Sequence, residues 1–202
     1  MTEKKYRLSL STGGLFYQES LILLDEFLRY GSWDEVRIVN NSNNLLQSRT
    51  ESSGRRRGNE IISRLTTLTE AQLQLLASGS AVEQQYLLWI AVCKRSQFVH
   101  DFAVEVLREK YLRMDLFLKI EEYSYFFDSK AEWHEELEKL KPSTRKKMQQ
   151  VLFKMMREAQ LLSTEHMIIP ALPTAELIRA IAQDNLNWLR VLPVMETEIQ
   201  RW

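Results

Sequence analysis

Apolar residues recur at steps of three and four positions from Met148 to Leu162, the spacing that places side chains on one face of an α-helix. From Lys139 to Arg157 the chain has seven basic residues and no acidic one. A helix with one apolar and one basic face predicts contact with a phosphate backbone. The basic and amide residues opposite the apolar face are Lys146, Lys147, Gln150, Lys154 and Arg157.

The helical period governs most of the remaining chain, in which glycine and proline are scarce at six and four residues. Capping boxes that begin at Ser32, Thr69 and Ser80 mark helix starts. The run of asparagines from Asn40 is expected to end the second helix, because these side chains compete for backbone hydrogen bonds. Alternation at Tyr6, Leu8 and Leu10 predicts an extended N-terminal arm. Helices are predicted over residues 15–30, 32–40, 55–65, 69–77, 82–95, 98–111, 116–127, 130–140, 143–162, 174–184 and 186–191.

These elements predict an all-α fold, a compact multi-helix globule that contains helix-turn-helix or winged-helix-like units. We expect an N-terminal helix-turn-helix-like subdomain with an arginine-rich helix over residues 1–68. A central helical core follows over 69–128, and a C-terminal helix-turn-helix or winged-helix-like subdomain over 129–202. The helix over 82–95 is apolar nearly all round and is expected at the centre of the core.

The C-terminal part resembles a DNA-binding helix-turn-helix in its order of elements. A helix over 130–140, a tight break at Lys141-Pro142-Ser143 and the basic helix follow each other, with Glu165–Pro173 where a small wing would lie. The alternative is a solvated surface in which acidic residues of the preceding helix neutralise Lys146 and Lys147. Those acidic residues are Glu132, Glu135, Glu136 and Glu138.

A second basic cluster lies early in the chain, against only two acidic residues, Glu51 and Glu60. Arginines at the predicted start of a helix are unfavourable, because the positive end of the helix repels cations, so their placement there indicates function. The alternative is a set of surface charges that pair with Glu51, Glu60 or acidic residues elsewhere in the chain. The cluster consists of Arg49, Arg55, Arg56, Arg57 and Arg64.

The two clusters together give the candidate DNA contacts, and the sequence favours neither over the other. We expect the arginine cluster to face phosphates, and Ser143, Thr144 and Arg145 to lie near the backbone of the duplex. Lys146, Lys147 and Gln150 would follow the groove, and Lys154 and Arg157 would extend this face. Because only Arg145 and Gln150 are suited to a base edge, phosphate contacts should dominate.

The composition and the absence of known motifs exclude several other classes of protein. The formal net charge is +0, so electrostatic binding must come from local patches. Cys93 is the only cysteine, which excludes disulfides within the chain and fits a cytoplasmic protein. The longest apolar run, Tyr86–Cys93, is far shorter than the roughly 20 residues of a membrane span. Phosphate-binding and catalytic motifs are absent from the sequence, so we expect no catalytic residues, no metal and no cofactor.

Several motifs in this order resemble the BrxA family, small core proteins of the BREX bacteriophage-exclusion systems. They are TGGLF at 12–16 with Glu19, Trp33, NLLQSRTESSGRRRGNEIISRL at 44–65, Phe102 with EVLREK at 105–110, YFF at 125–127 and LKPSTRKKMQQVLFKMMREAQLL at 140–162. The resemblance implies a bacterial, cytoplasmic defence protein encoded beside a DNA methyltransferase, a large ATPase and a phosphatase-like protein. It also implies an all-helical fold and double-stranded DNA binding without known catalysis. The family supplies no catalytic residues to carry over.

The leading hypothesis is therefore a non-enzymatic, monomeric protein that binds double-stranded DNA and works with other BREX proteins. The competing hypothesis is a protein–protein assembly module that contacts DNA only incidentally. Exposure of Trp133, Trp188 or Trp202 would favour the assembly module, because aromatic side chains anchor protein interfaces.

Overall fold

A computed structural model describes residues 5–6 and 13–201 of the chain, and within these ranges the architecture is all-helical. The predicted arm residues Leu8 and Leu10 lie outside the described residues. The helices are α1 (Tyr17–Tyr30), α2 (Trp33–Asn43), α3 (Glu51–Leu65), α4 (Glu70–Ser78), α5 (Ala81–Arg95), α6 (Gln97–Phe102), a π-helical turn (Ala103–Arg108), α7 (Glu109–Leu112), α8 (Ile120–Ala131), α9 (Glu135–Glu138), α10 (Pro142–Glu158), α11 (Ala175–Ala182), a 3₁₀ helix (Leu186–Val191) and α12 (Glu196–Ile199).

The core is built around α5, as its sequence predicts. Trp89 is fully buried there and donates its indole N–H to the carbonyl of Val191 over 2.8 Å. Helix α5 packs against α1, α3, α4, α6, α10 and the 3₁₀ helix. The buried cluster runs from Tyr6 to Ile199 and draws on all three predicted subdomains. The division of the chain at residues 68 and 128 remains a prediction.

Two helix boundaries near the arginine cluster differ from the prediction. Helix α2 continues into the asparagine run and ends at Asn43, and the C-cap residue Asn44 adopts the left-handed conformation that asparagine tolerates (φ 45°). Helix α3 begins at Glu51, because the Thr50 side chain accepts a hydrogen bond from the Ser53 amide as its N-cap. The arginines at 55–57 therefore lie in the second turn of α3, where the repulsion expected at a helix start does not apply.

The helix predicted over 116–127 is wrong at its start. Residues 116–118 are extended, because Leu118 donates to the carbonyl of His166 and Ile168 donates to that of Leu116. Antiparallel bridges join Phe117 to Met167 and Leu162 to Ile168. Long-range backbone pairing has overridden the local helical pattern.

The helix predicted over 130–140 is also wrong. Helix α8 continues to Ala131, because the Asp128 carboxylate accepts a hydrogen bond from Arg145 and caps no new helix. Only the short α9 precedes the basic helix. That helix starts at Pro142 rather than at a Ser143 cap, since proline suits the first helical position, where its missing N–H is not needed.

Close packing of α2 on α3 orients the arginine cluster. Gly54 and Gly58 lie one turn apart on the same face of α3. A Cβ at Gly54 would lie 3.2 Å from the Ser48 Cβ, and a Cβ at Gly58 would overlap the buried side-chain amide of Asn40. Gly58 thus lets α2 and α3 approach closely, and Gly54 lets the connection between them pack on α3. Arg55 and Arg56, between the glycines, are turned outward.

We expect the Gly58→Ala substitution to destabilise the fold by about 1–3 kcal/mol, because overlap with Asn40 outweighs the roughly 1 kcal/mol gain in helix propensity. Urea unfolding measures the difference. Asn59→Ala is the matched control, because Asn59 is exposed on the same helix and its replacement should not lower stability. Equal stability of Gly58→Ala and the parent would contradict close packing at this glycine.

Candidate nucleic-acid interface

The exposed part of the arginine cluster is formed by Arg49, Arg55 and Arg56. Within residues 5–6 and 13–201, none of their guanidinium groups has a hydrogen-bond or ion-pair partner. The alternative in which these side chains pair with Glu51 or Glu60 is therefore not seen. Arg57 is half-buried and lies 3.3 Å from the Glu19 carboxylate.

The prediction that Arg64 faces a phosphate is wrong, because its side chain is buried. Its side chain pairs with Glu60 at 3.0 Å and donates to the carbonyl of Gly14 at 2.8 Å. Burial lowers the pKa of the Arg64 guanidinium, and the carboxylates of Glu60 and Glu158 act in the opposite direction. An arginine remains protonated under such conditions, so the cation is held inside the protein by these partners.

The basic face of α10 is exposed as predicted. Lys146, Lys147, Gln150 and Lys154 are exposed, as is Ser143, whereas Thr144 and Arg157 are half-buried. In the described part of the chain, no carboxylate lies within ion-pairing distance of Lys146 or Lys147. Glu135, one of the acids expected to neutralise them, pairs with Lys139 instead, at 2.5 Å.

Arg145 is tied to α8 at the start of the same helix. Its guanidinium donates to Asp128 at 2.6 Å and to the carbonyl of Ser124 at 3.1 Å. It also lies over the Phe127 ring, 4.3 Å from the ring centroid. These contacts argue against the base-edge role expected for Arg145, because two of its N–H donors hold the guanidinium against α8.

A turn at Gly13–Phe16, which we call the Phe16 turn, connects the two basic helices. Gly13 (φ 106°) and Phe16 (φ 59°) both have positive φ values. From α10, the Glu158 carboxylate accepts the backbone N–H of Leu15 at 2.5 Å. From α3, Arg64 donates to the turn and its guanidinium carbon lies 5.3 Å from the Phe16 ring centroid. Charge and periodicity did not predict this junction; the paired glycines at 13 and 14 were the available signal.

The tryptophans whose exposure distinguishes the two functional hypotheses differ in their exposure. Trp133 is 77% exposed, and so by the criterion stated above it favours an assembly surface. Trp188 is half-buried, with the Lys94 ammonium 5.5 Å from its ring centroid. Trp202 lies outside the described residues. A further exposed aromatic, Tyr125, is 74% accessible on α8.

Metal and membrane sites are not found in the portion of the chain that the structure describes. No group of three or more histidine, cysteine, aspartate or glutamate side chains there could hold a metal ion. Likewise, no helix among these residues is both long and apolar enough to cross a membrane.

Comparison with solved structures supports the fold. The crystal structure of an uncharacterized protein from Magnetospirillum magneticum matches with a TM-score of 0.81 and 19% sequence identity, covering 94% of this chain and 98% of that one. At this identity the match shows a shared fold alone.

Two curated relatives are similar in sequence, and both are named BREX protein BrxA. The one from Escherichia coli O9:H4 (strain HS) is 30% identical over 155 residues, which is 75% of this chain and 71% of the relative. The one from Bacillus cereus (strain H3081.97) is 23% identical over 167 residues, covering 81% and 82% of the two chains. The model of one protein family, BrxA, matches residues 4–185. The chain therefore belongs to the BrxA family.

Proposed function

We propose that the chain is a non-enzymatic accessory protein of a bacterial BREX anti-phage defence system that binds double-stranded DNA. One observation carries the DNA part of the proposal: Arg55, Arg56, Lys146 and Lys147 are exposed and lack carboxylate partners among the described residues. Unpaired cations on two helices can neutralise phosphates without first breaking an internal ion pair. The names of the relatives supply the defence system.

The order of elements around α10 supports a winged-helix-like binding unit. The helix formed by α6, the π-helical turn and α7 is followed by the extended residues 116–118, then by α8, the short α9 and α10, and then by the bridged residues Leu162 and Ile168. In such units the helix before the hairpin enters the major groove. We propose this place for α10, with the turn at residues 163–167 as part of the small wing expected over Glu165–Pro173.

The charges favour contact with phosphates over recognition of bases. Arg145 is held by α8, so Gln150 is left as the expected base-edge contact. Lysine and arginine contacts with phosphates carry no sequence information. We therefore propose a protein with slight sequence preference, acting in the cytoplasm as a monomer beside the methyltransferase, ATPase and phosphatase-like proteins of the system.

Binding should depend steeply on salt if these surfaces contact DNA. With about five phosphates neutralised, the logarithm of the binding constant should fall with the logarithm of salt concentration with a slope of about −4 to −5. Replacing Arg55 and Arg56 by Glu, or Lys146 and Lys147 by Glu, should weaken binding to all duplexes and make the slope shallower by about 2. Fluorescence anisotropy at several salt concentrations measures both effects.

The matched control for these charge reversals is Arg113→Glu with Arg179→Glu, which changes net charge equally at two exposed positions outside α3 and α10. Its binding should stay closer to that of the parent than either test variant. If the control and both test variants bind equally well, the surfaces are wrongly assigned. Absence of salt-sensitive binding by the parent at low ionic strength would reject the DNA-binding function itself.

The exposed aromatics support a second candidate function, assembly of BREX proteins. Tyr125 borders a groove of about 360 Å³ between the π-helical turn and α8, and Trp133 lies in the turn just after α8. Exposed aromatic side chains of this size are frequent anchors of protein interfaces. In this alternative the protein partner binds at this face, and DNA contact is incidental.

Replacing Tyr125 and Trp133 by Ala should abolish co-purification with a co-expressed BREX partner if that face is the interface, while DNA affinity stays unchanged. The fold should tolerate both changes, because both side chains are largely exposed. Leu172→Ala, at a residue that is 75% exposed, is the control. Co-purification that survives in the double variant would exclude this face as the anchor.

A further inference from the structure

We propose that Glu158 is a positioning residue: its hydrogen bond to Leu15 fixes the arginine helix relative to the basic helix, so that one duplex engages both. This inference rests on the proposed DNA-binding function and deepens it. Glu158 is assigned no contact with DNA, and it acts through the Phe16 turn.

The contacts at the turn form a continuous connection between the two basic helices. Helix α10 reaches the turn through the Glu158 carboxylate, which accepts the Leu15 N–H at 2.5 Å. Helix α3 reaches it through Arg64, which donates to the carbonyl of Gly14 at 2.8 Å. Adjacent residues of one turn are thus held from opposite sides, so the ends of α3 and α10 cannot move independently while both contacts persist.

The exposed cations lie along the two helices that meet at this junction. Lys154 is one turn before Glu158, 3.5 Å from its carboxylate, and the Lys146–Gln150 stretch continues on the same helix. On α3, Arg57 lies two turns before Arg64 and 5.8 Å from the Phe16 ring centroid. The Phe16 turn therefore stands between two basic tracts and sets the spacing between them.

The turn has backbone features that are kept only where contacts enforce them. Phe16 has a φ of 59°, which residues with a side chain rarely adopt. A Cβ at Gly14 would come within 2.6 Å of the Glu158 carboxylate, so a side chain at position 14 would push that carboxylate away. Glycine at 14 and the left-handed Phe16 together allow Leu15 to present its N–H to Glu158.

The negative charge of Glu158 disfavours DNA binding, whereas its hydrogen bond to Leu15 is proposed to support DNA binding. Its side chain is 36% exposed beside Lys154, so its negative charge repels phosphates approaching α10. By charge alone, removing Glu158 should strengthen DNA binding. The positioning role predicts the opposite for any duplex long enough to reach both helices, and this difference in sign makes the inference testable.

Duplex length separates binding at one helix from binding at both. The basic residues of α10 from Lys146 to Arg157 span about 17 Å at 1.5 Å per helical residue, the length of about 5 base pairs, and Arg55–Arg57 of α3 span less. A hairpin with a stem of about 6 base pairs can therefore cover one tract, whereas a duplex of about 20 base pairs is long enough for both. The ratio of the two affinities, corrected for the number of overlapping sites, measures engagement of both tracts.

The experiment compares Glu158→Ala with Glu158→Gln by fluorescence anisotropy on the two DNA lengths. Both variants remove the same charge, but glutamine keeps an oxygen that can accept the Leu15 N–H. We expect Glu158→Gln to bind both DNAs at least as tightly as the parent. We expect Glu158→Ala to keep its affinity for the short hairpin and to lose severalfold of its affinity for the long duplex.

A second variant, Gly14→Ala, tests the same contact without changing charge. It should lower the ratio of long to short affinities in the same way, because a methyl group at position 14 displaces the Glu158 carboxylate. Thermal unfolding of each variant shows whether the fold is kept, and the conclusion is drawn from the variants that remain folded.

The outcomes distinguish this inference from the proposed function. Salt-sensitive binding by the parent, with equal length ratios for Glu158→Ala, Glu158→Gln and the parent, would overturn the positioning role and leave DNA binding intact. A parent that gains nothing from the longer duplex would also overturn it, because only one tract would then be engaged. A parent that binds neither DNA would reject the proposed function, and the inference with it.

Discussion

The buried Arg64 guanidinium is the interaction on which the arrangement of the candidate interface depends. A buried cation is tolerated only with partners, and removal of a partner leaves an uncompensated charge that is strongly destabilising. Arg64 obtains its partners from its own helix, through Glu60, and from the Phe16 turn, through the carbonyl of Gly14. The need to satisfy one cation thus fixes where the N-terminal turn crosses α3, and Glu158 then ties that turn to α10.

Arginines of one cluster consequently have different roles. Arg55 and Arg56 are exposed and available to phosphates, whereas Arg57 lies between Glu19 and the Phe16 ring, and Arg64 is internal. The planar guanidinium suits Arg64, because it can bond a carboxylate and a carbonyl while lying over an aromatic ring. Arg64 thus joins α3 to the Phe16 turn, which Glu158 joins to α10.

Much of the fold could be predicted because local sequence and tertiary structure agree. Capping boxes at Thr69 and Ser80 start α4 and α5 where expected, and the apolar face of α10 is buried. The helix boundaries were predicted wrongly where contacts with residues distant in sequence determine the backbone conformation. The strand-like residues 116–118 depend on pairing with 166–168, and the end of α8 depends on Arg145 binding Asp128. Neither partner can be identified from a window of local sequence.

For the candidate site, the sequence predicted which helices carry exposed cations but not which cation is buried. Counting charges identified the exposed cations of α3 and α10, but it could not separate Arg64 from Arg56, since both are arginines of the same helix. Position relative to the apolar residues carried part of the answer, because Arg64 follows Ile61 by three residues and lies beside the buried face. The contacts of the Phe16 turn could not be predicted from the sequence, since they require residues 14, 64 and 158 to lie close together in the folded chain.

The geometry of α8 indicates how DNA binding and assembly are compatible in one chain. Successive helical residues differ by about 100°, so Tyr125 lies roughly 200° around α8 from Phe127. Phe127 contacts Arg145 at the start of α10, and Tyr125 therefore faces away from the basic helix, towards the π-helical turn. Such turns often occur at functional sites. A partner at Tyr125 would leave α10 open, because α8 lies between the two surfaces with its buried face turned towards α10. The two candidate functions are therefore not exclusive, and occupation of one surface need not displace a ligand from the other.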